Sequence, residues 1–149
     1  MTEAQRKARN GKVQRVTFGP LSLCVEIPAG WRKGASFLTA HYGYIAGTKA
    51  PDGAAIDMFL SPQASVTADV FVIDHMKGNK FDEPKVFLGF TSKVDAEETY
   101  RNVYAQRATA TKMTMTQFQQ WIKEGGAMQP TIKEEPKLQK VYWETRTYR

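Results

Sequence analysis

The segment Leu21-Ser22-Leu23-Cys24-Val25-Glu26-Ile27 alternates without a break, and this most sharply limits what the chain can fold into. Strand side chains point to opposite faces with a period of two, so Leu21, Leu23, Val25 and Ile27 share one face. Ser22, Cys24 and Glu26 share the other. A helix would scatter the same apolar residues around its circumference. The run therefore predicts a half-buried strand, closed by Pro28-Ala29-Gly30. Such a strand needs partners, and Ile56 to Leu60, Val70 to Ile73 and Val86 to Leu88 supply them. They are β-branched or aromatic and bounded by Pro, Gly or Asp.

Later residues change period. Ser92-Lys93-Val94-Asp95 resembles a capping box and opens a stripe of Val94, Ala96, Tyr100, Val103 and Tyr104. Thr114 with Gln117 makes a second box, sending Met115, Phe118, Trp121 and Ile122 inward, with Gly125 as the stop. Strands first and helices later predict an α+β fold, a small closed sheet flanked by two helices. At 149 residues the chain has room for one domain. We divide it into a basic arm over 1–15, a folded domain over 16–126 and an extension over 127–149. In the extension, residues 130–136 read as a loop and Val141-Tyr142-Trp143-Glu144-Thr145 as a late strand or arm. One of Tyr142 and Trp143 is expected to face a partner or the outside of the sheet.

Charge gathers at the ends. Arg6, Lys7, Arg9, Lys12 and Arg15 against Glu3 account for +4 of the net +6. Lys137, Lys140, Arg146 and Arg149 oppose only Glu144. Basic arms of this kind suit solvent, an acidic partner or a nucleic-acid backbone, and all three stay open. One cysteine, Cys24, excludes an internal disulfide and a thiolate metal cage. No apolar run reaches the roughly 20 residues of a membrane-spanning helix. Met1 to Lys7 lacks the apolar core of a secretory signal, so the chain is not expected to be secreted.

The acidic residues suggest chemistry. Asp52 and Asp57 bracket a turn entering the Ile56 strand, Asp74 ends another strand, and Asp82 with Glu83 leads into the next. If strand ends bring them to one mouth, Asp52, Asp57, Asp74 and Asp82 form an oxygen-only set suited to Mg²⁺ or Mn²⁺, with Glu26 as a fifth carboxylate. Arg32, Lys33 and Lys85 would supply charge for phosphate oxygens. The competing reading is turn-capping aspartates and surface ion pairs. His41 and His75 read as surface or hydrogen-bonding residues.

The segment His41-Tyr42-Gly43-Tyr44-Ile45-Ala46-Gly47-Thr48, followed by Asp52-Gly53-Ala54-Ala55-Ile56-Asp57, resembles the signature of the soluble, Mg²⁺-dependent (family I) inorganic pyrophosphatases. Val25-Glu26-Ile27-Pro28 is similar to that family's Glu-Ile-Pro strand. The run Phe81 to Phe90 with Phe118 and Trp121 is similar to pyrophosphatase-like domains encoded by bacteriophages. The resemblance implies an OB-like closed barrel hydrolysing pyrophosphate with Mg²⁺. It implies metal ligands at Asp52, Asp57, Asp74 and Asp82, and phosphate contacts from Lys33, Tyr42, Lys85 and Tyr104. If the chain is active, Glu26, Asp57 and Asp74 are its expected catalytic residues.

The departures carry equal weight. The signature's middle Asp is Ala54 and its Pro is Ala55, the family's intervening Arg has no counterpart, and its helical Tyr-Lys pair reads Tyr104-Ala105. Losing a general base costs on the order of 10²–10⁴-fold. The expectation is therefore a degenerate pyrophosphatase-fold protein, non-catalytic or weakly active, serving phage assembly or the virion. It would associate with itself or other particle proteins through the terminal arms, in the bacterial host cytoplasm or the virion. The alternatives are a working Mg²⁺-dependent pyrophosphatase and a nucleic-acid-binding accessory protein.

Overall fold

A computed structural model describes residues 13–133. Most of the basic arm, the basic residues from Lys137 onward and the expected strand at 141–145 with Tyr142 and Trp143 lie outside the described residues. Among the described residues, nine strands and two α-helices follow in the order β1 Gln14–Phe18, β2 Leu21–Ile27, β3 Arg32–Lys33, β4 Ser36–Phe37, β5 His41–Ile45, β6 Ile56–Leu60, β7 Val70–Lys77, β8 Lys80–Leu88, α1 Lys93–Tyr104, β9 Ala110–Met113 and α2 Met115–Lys123. A 3₁₀ turn, Gly126–Met128, follows α2. No helix among the described residues is long and apolar enough to cross a membrane.

Seven strands form one mixed sheet in the order β1-β2-β5-β6-β8-β7-β9. Every pairing is antiparallel except β6 with β8. The sheet curls into a half-barrel of small OB-like α+β type, while β3 and β4 make a separate ribbon. This is the small α+β OB-like fold expected from the sequence, and among the described residues its edge strands β1 and β9 do not pair with each other. Apolar residues cover both faces, as the near-continuous burial of β6 and the later part of β8 requires. One face packs Met58, Val72, Val86 and Leu23 against Phe118 of α2. The other packs Phe59, Phe71 and Phe87 against Ala96 and Tyr100 of α1.

Local chemistry explains both helix starts. The Ser92 side chain accepts from the Asp95 N–H at 3.1 Å. Thr114 and Gln117 make the full reciprocal capping box. Val94 is a correction: it is 56% exposed, because the buried face of α1 runs through Ala96, Thr99 and Tyr100. Cys24 is another. It is buried with Leu23 and Val25, since β1 and β5 flank β2 and both faces are covered at its centre. Gly43 is needed there, because a Cβ on it would collide with the Cys24 carbonyl group.

Strands β7 and β8 are longer than the sequence suggested. They form a hairpin turning at Gly78-Asn79, with Gly78 at φ +64°. Asp74 therefore lies inside β7 rather than at its end, and Asp82 and Glu83 lie inside β8. At the ends of the domain, Gln14 and Arg15 already belong to β1, so the expected boundary at 15 falls within a strand. The start of the extension folds back, with Ala127 in the core.

Candidate active site

The parallel register of β6 and β8 aligns Asp57 with Lys85. The Lys85 ammonium donates to Asp57 Oδ2 at 2.7 Å and lies 3.4 Å from Glu83 Oε2. The Lys85 side chain is only 7% exposed, against 23% for Asp57 and 16% for Glu83, so this is a largely desolvated ionic cluster. Residues 83 and 85 share a face by strand alternation, and the antiparallel neighbour places His75 opposite Glu83 on that face. Tyrosines and a second lysine close the site. Lys85 Nζ is 5.2 Å from the Tyr104 ring centroid, and Lys33 Nζ is 4.7 Å and 5.9 Å from those of Tyr42 and Tyr104. The Tyr104 hydroxyl is buried and makes no hydrogen bond.

The electrostatics report a surplus of negative charge. Burial raises the Glu83 pKa above the carboxylate norm; Lys85 opposes this, while Asp57 and Asp52 add to it. Glu26 is raised by burial and then by Asp57, against the pull of Lys33. Burial alone would lower the Lys85 pKa, but Tyr104, Asp57 and Glu83 together hold it above the ordinary lysine value. Tyr104 is an uncharged phenol at neutral pH, so the carboxylates keep Lys85 charged there. Burial also raises Tyr42 and Tyr104, so both remain proton donors at neutral pH.

The expected residues part company at this point. Asp57, Lys85, Lys33, Tyr42 and Tyr104 converge, with Glu26 close enough to feel Asp57 and Lys33. Asp52 caps its own turn, accepting from the Ala54 N–H at 2.9 Å, and its charge reaches Glu83. Asp82 is the extra residue of a bulge between the His75–Glu83 and Met76–Phe81 pairs, and its charge acts on His75. Asp74 continues the row of Val70 and Val72 on the opposite sheet face. There its carboxylate accepts from Thr131 N and Oγ1, both at 2.8 Å, and from Ile132 N at 3.0 Å. It borders a separate cavity of about 940 Å³ that also touches Arg101 and Arg107.

The expected convergence of four aspartates is thus not what the fold builds. Alternation sends Asp74 away, while Glu83, which the sequence reading grouped with Asp82 but did not select, joins Asp57. The spacing Glu83-x-Lys85 was the available signal. Of the remaining candidates, Arg32 sits over the Phe37 ring at 4.9 Å, and His41 Nδ1 accepts from the Ala29 N–H at 3.0 Å.

A hard divalent cation is chemically suited to this site. Its acidic donors are all carboxylate oxygens, and Glu26, Asp52, Asp57 and Glu83 outnumber Lys33 and Lys85. The side chains do not form a ready-made cage: among the described residues no three His, Cys, Asp or Glu side chains gather closely enough to hold one ion. The family model described as inorganic pyrophosphatase matches residues 3–123. No curated protein and no solved structure matches the chain.

Proposed function

The chain belongs to the inorganic pyrophosphatase family, and on that footing we propose that its pocket binds pyrophosphate together with Mg²⁺ and hydrolyses it only slowly. The convergence of Lys33, Lys85, Tyr42 and Tyr104 beside Asp57 and Glu83 supports the binding half of this reading. Pyrophosphate is an anion and the bare pocket has a surplus of carboxylates, so binding requires added positive charge. Asp57 and Glu83 would hold the ion together with water and the phosphate oxygens, since Mg²⁺ needs only one or two protein carboxylates, while Asp52 would add charge from its turn. When bound, Mg²⁺ supplies charge for the phosphate oxygens and acidifies a water molecule. The two lysines and two phenols would orient the phosphate groups, and the buried Tyr104 hydroxyl would gain the partner it lacks.

Slow turnover follows from position 54. Ala54 offers no side-chain proton acceptor where the family signature has its middle Asp, a loss of about 10²–10⁴-fold in rate. Calorimetry with pyrophosphate should detect binding with Mg²⁺ present and none without it. Phosphate release should be slow for the native chain and rise about 10²-fold in Ala54→Asp. No binding with Mg²⁺ would refute the proposal, and fast native release untouched by Ala54→Asp would make the chain a full pyrophosphatase. The sequence-based expectation of phage assembly rests on the resemblance of the Phe81 to Phe90 run and the departures at Ala54 and Ala105, while self-association and nucleic-acid contact rest on the basic arms, which lie mostly outside 13–133. They stand as proposals separate from this pocket.

A further inference from the structure

One histidine at the pocket ends a hydrogen-bond chain whose polarity is fixed by an obligate acceptor. The Met76 carbonyl can only accept, so Gln106 turns its Nε2 toward it, at 3.1 Å. That leaves Gln106 Oε1 to accept from the Tyr100 hydroxyl at 2.7 Å. With its proton committed, the Tyr100 oxygen must accept from His75 Nδ1, also at 2.7 Å. His75 therefore carries its proton on Nδ1, and its Nε2 presents a lone pair. No group among the described residues bonds Nε2. The ring stands 4.7 Å from the Tyr104 ring and opposite Glu83, at the bulge that interrupts the β7–β8 register. Bulges re-aim side chains beside functional sites.

We propose that His75 Nε2 accepts the proton of the attacking water, the role Ala54 leaves empty. The inference rests on the pocket binding pyrophosphate as described above. Water gives a proton to Nε2 while its oxygen bonds to one phosphorus. The bridging P–O bond breaks, its electron pair leaves with the second phosphate, and that phosphate takes up the proton and restores neutral imidazole. Tyr100 and Gln106 act as positioning residues by holding the tautomer. The carboxylates Asp57, Glu83 and Asp74 are less available: Asp57 and Glu83 face Lys85, and Asp74 is committed on the far side of the sheet. Glu26 is the competitor.

The test combines turnover, binding and nitrogen spectroscopy on the full chain. His75→Gln should lower Mg²⁺-supported phosphate release about 10²-fold. It should leave pyrophosphate affinity within twofold, and cost less than threefold in the Ala54→Asp background, where a carboxylate is restored. ¹⁵N–¹H correlation spectra should place the His75 proton on Nδ1. Gln106→Leu or Tyr100→Phe should move it toward Nε2 and slow release about tenfold. Native-like release by His75→Gln with binding intact overturns the inference alone, as does an Nε2-protonated ring in the native chain or a loss confined to Glu26→Gln. Absence of pyrophosphate binding by the native chain overturns the pocket reading and this inference together.

Discussion

Lys85→Met tests the physics of the pocket without reference to its reaction. Methionine nearly matches the aliphatic stem but removes the ammonium that stands 2.7 Å from Asp57 and 3.4 Å from Glu83. Deleting one partner of a fully buried pair costs about 3–5 kcal/mol, because the remaining charge is left uncompensated. Asp57 and Glu83 keep 23% and 16% of their exposure, so water softens the loss to about 2–3 kcal/mol here. For a chain of this length that lowers the melting temperature by about 5–10 °C. The deficit should depend on pH. Without Lys85 the folded-state pKa of Glu83 rises further above its unfolded value of 4.5. Its charge then destabilises the fold above pH 4.5, and stability returns as pH falls from neutral toward that value. Mg²⁺ should also restore stability, by about 1.4 kcal/mol at ten times its dissociation constant. Adding Asp57→Asn should recover most of what remains. Thermal melts followed by circular dichroism at pH 7 and pH 5, with and without Mg²⁺, read all of these. A Lys85→Met melt within about 1 °C of native at pH 7 would refute a desolvated cluster.

Other perturbations separate structure from chemistry. Asp74→Ala removes three hydrogen bonds to residues 131 and 132 and should cost about 1–3 kcal/mol, while pyrophosphate affinity measured by calorimetry stays within twofold. A large affinity loss with unchanged stability would return Asp74 to the site. Gly43→Ala drives a methyl group into the β2 backbone and should destabilise by about 3 kcal/mol in urea denaturation; a neutral result would mean that β2 and β5 separate readily. Glu83→Gln removes a carboxylate whose pKa is raised in the fold. Its stability profile should lose the part that declines as pH rises above 4.5, and a profile unchanged from native would contradict the burial of that group.

Much of the architecture was legible from local rules. The alternation of residues 21–27 predicted β2, and Thr114 with Gln117 predicted the start of α2, because period and capping depend on neighbours within a few positions. The edge strands β1 and β9 escaped notice because their exposed positions are polar, and the β-branched or sulfur-bearing residues between them make only short patterns. Type and spacing nominated Asp57 and Lys85, the family resemblance nominated Tyr42, and the fold brings the three together. Asp74, Asp82 and Glu83 were not separable that way. The carboxylates look equivalent in sequence, yet strand parity sends Asp74 to the wrong face and a bulge sets Asp82 apart from Glu83.

The sequence by itself determined the α+β order of elements, the helix caps and an alanine at position 54, a side chain with no proton acceptor. Tertiary structure alone decided which charges meet. The β6–β8 pairing joins residues 57 and 85, far apart in the chain, in parallel register, and a one-residue shift in that pairing would move Lys85 to the other face. The same applies to His75, whose proton is placed by Tyr100, Gln106 and the Met76 carbonyl, groups brought together only when α1 packs across β7. A side chain's identity is covalent, but its partners, and hence its charge and its role, depend on how the strands pair.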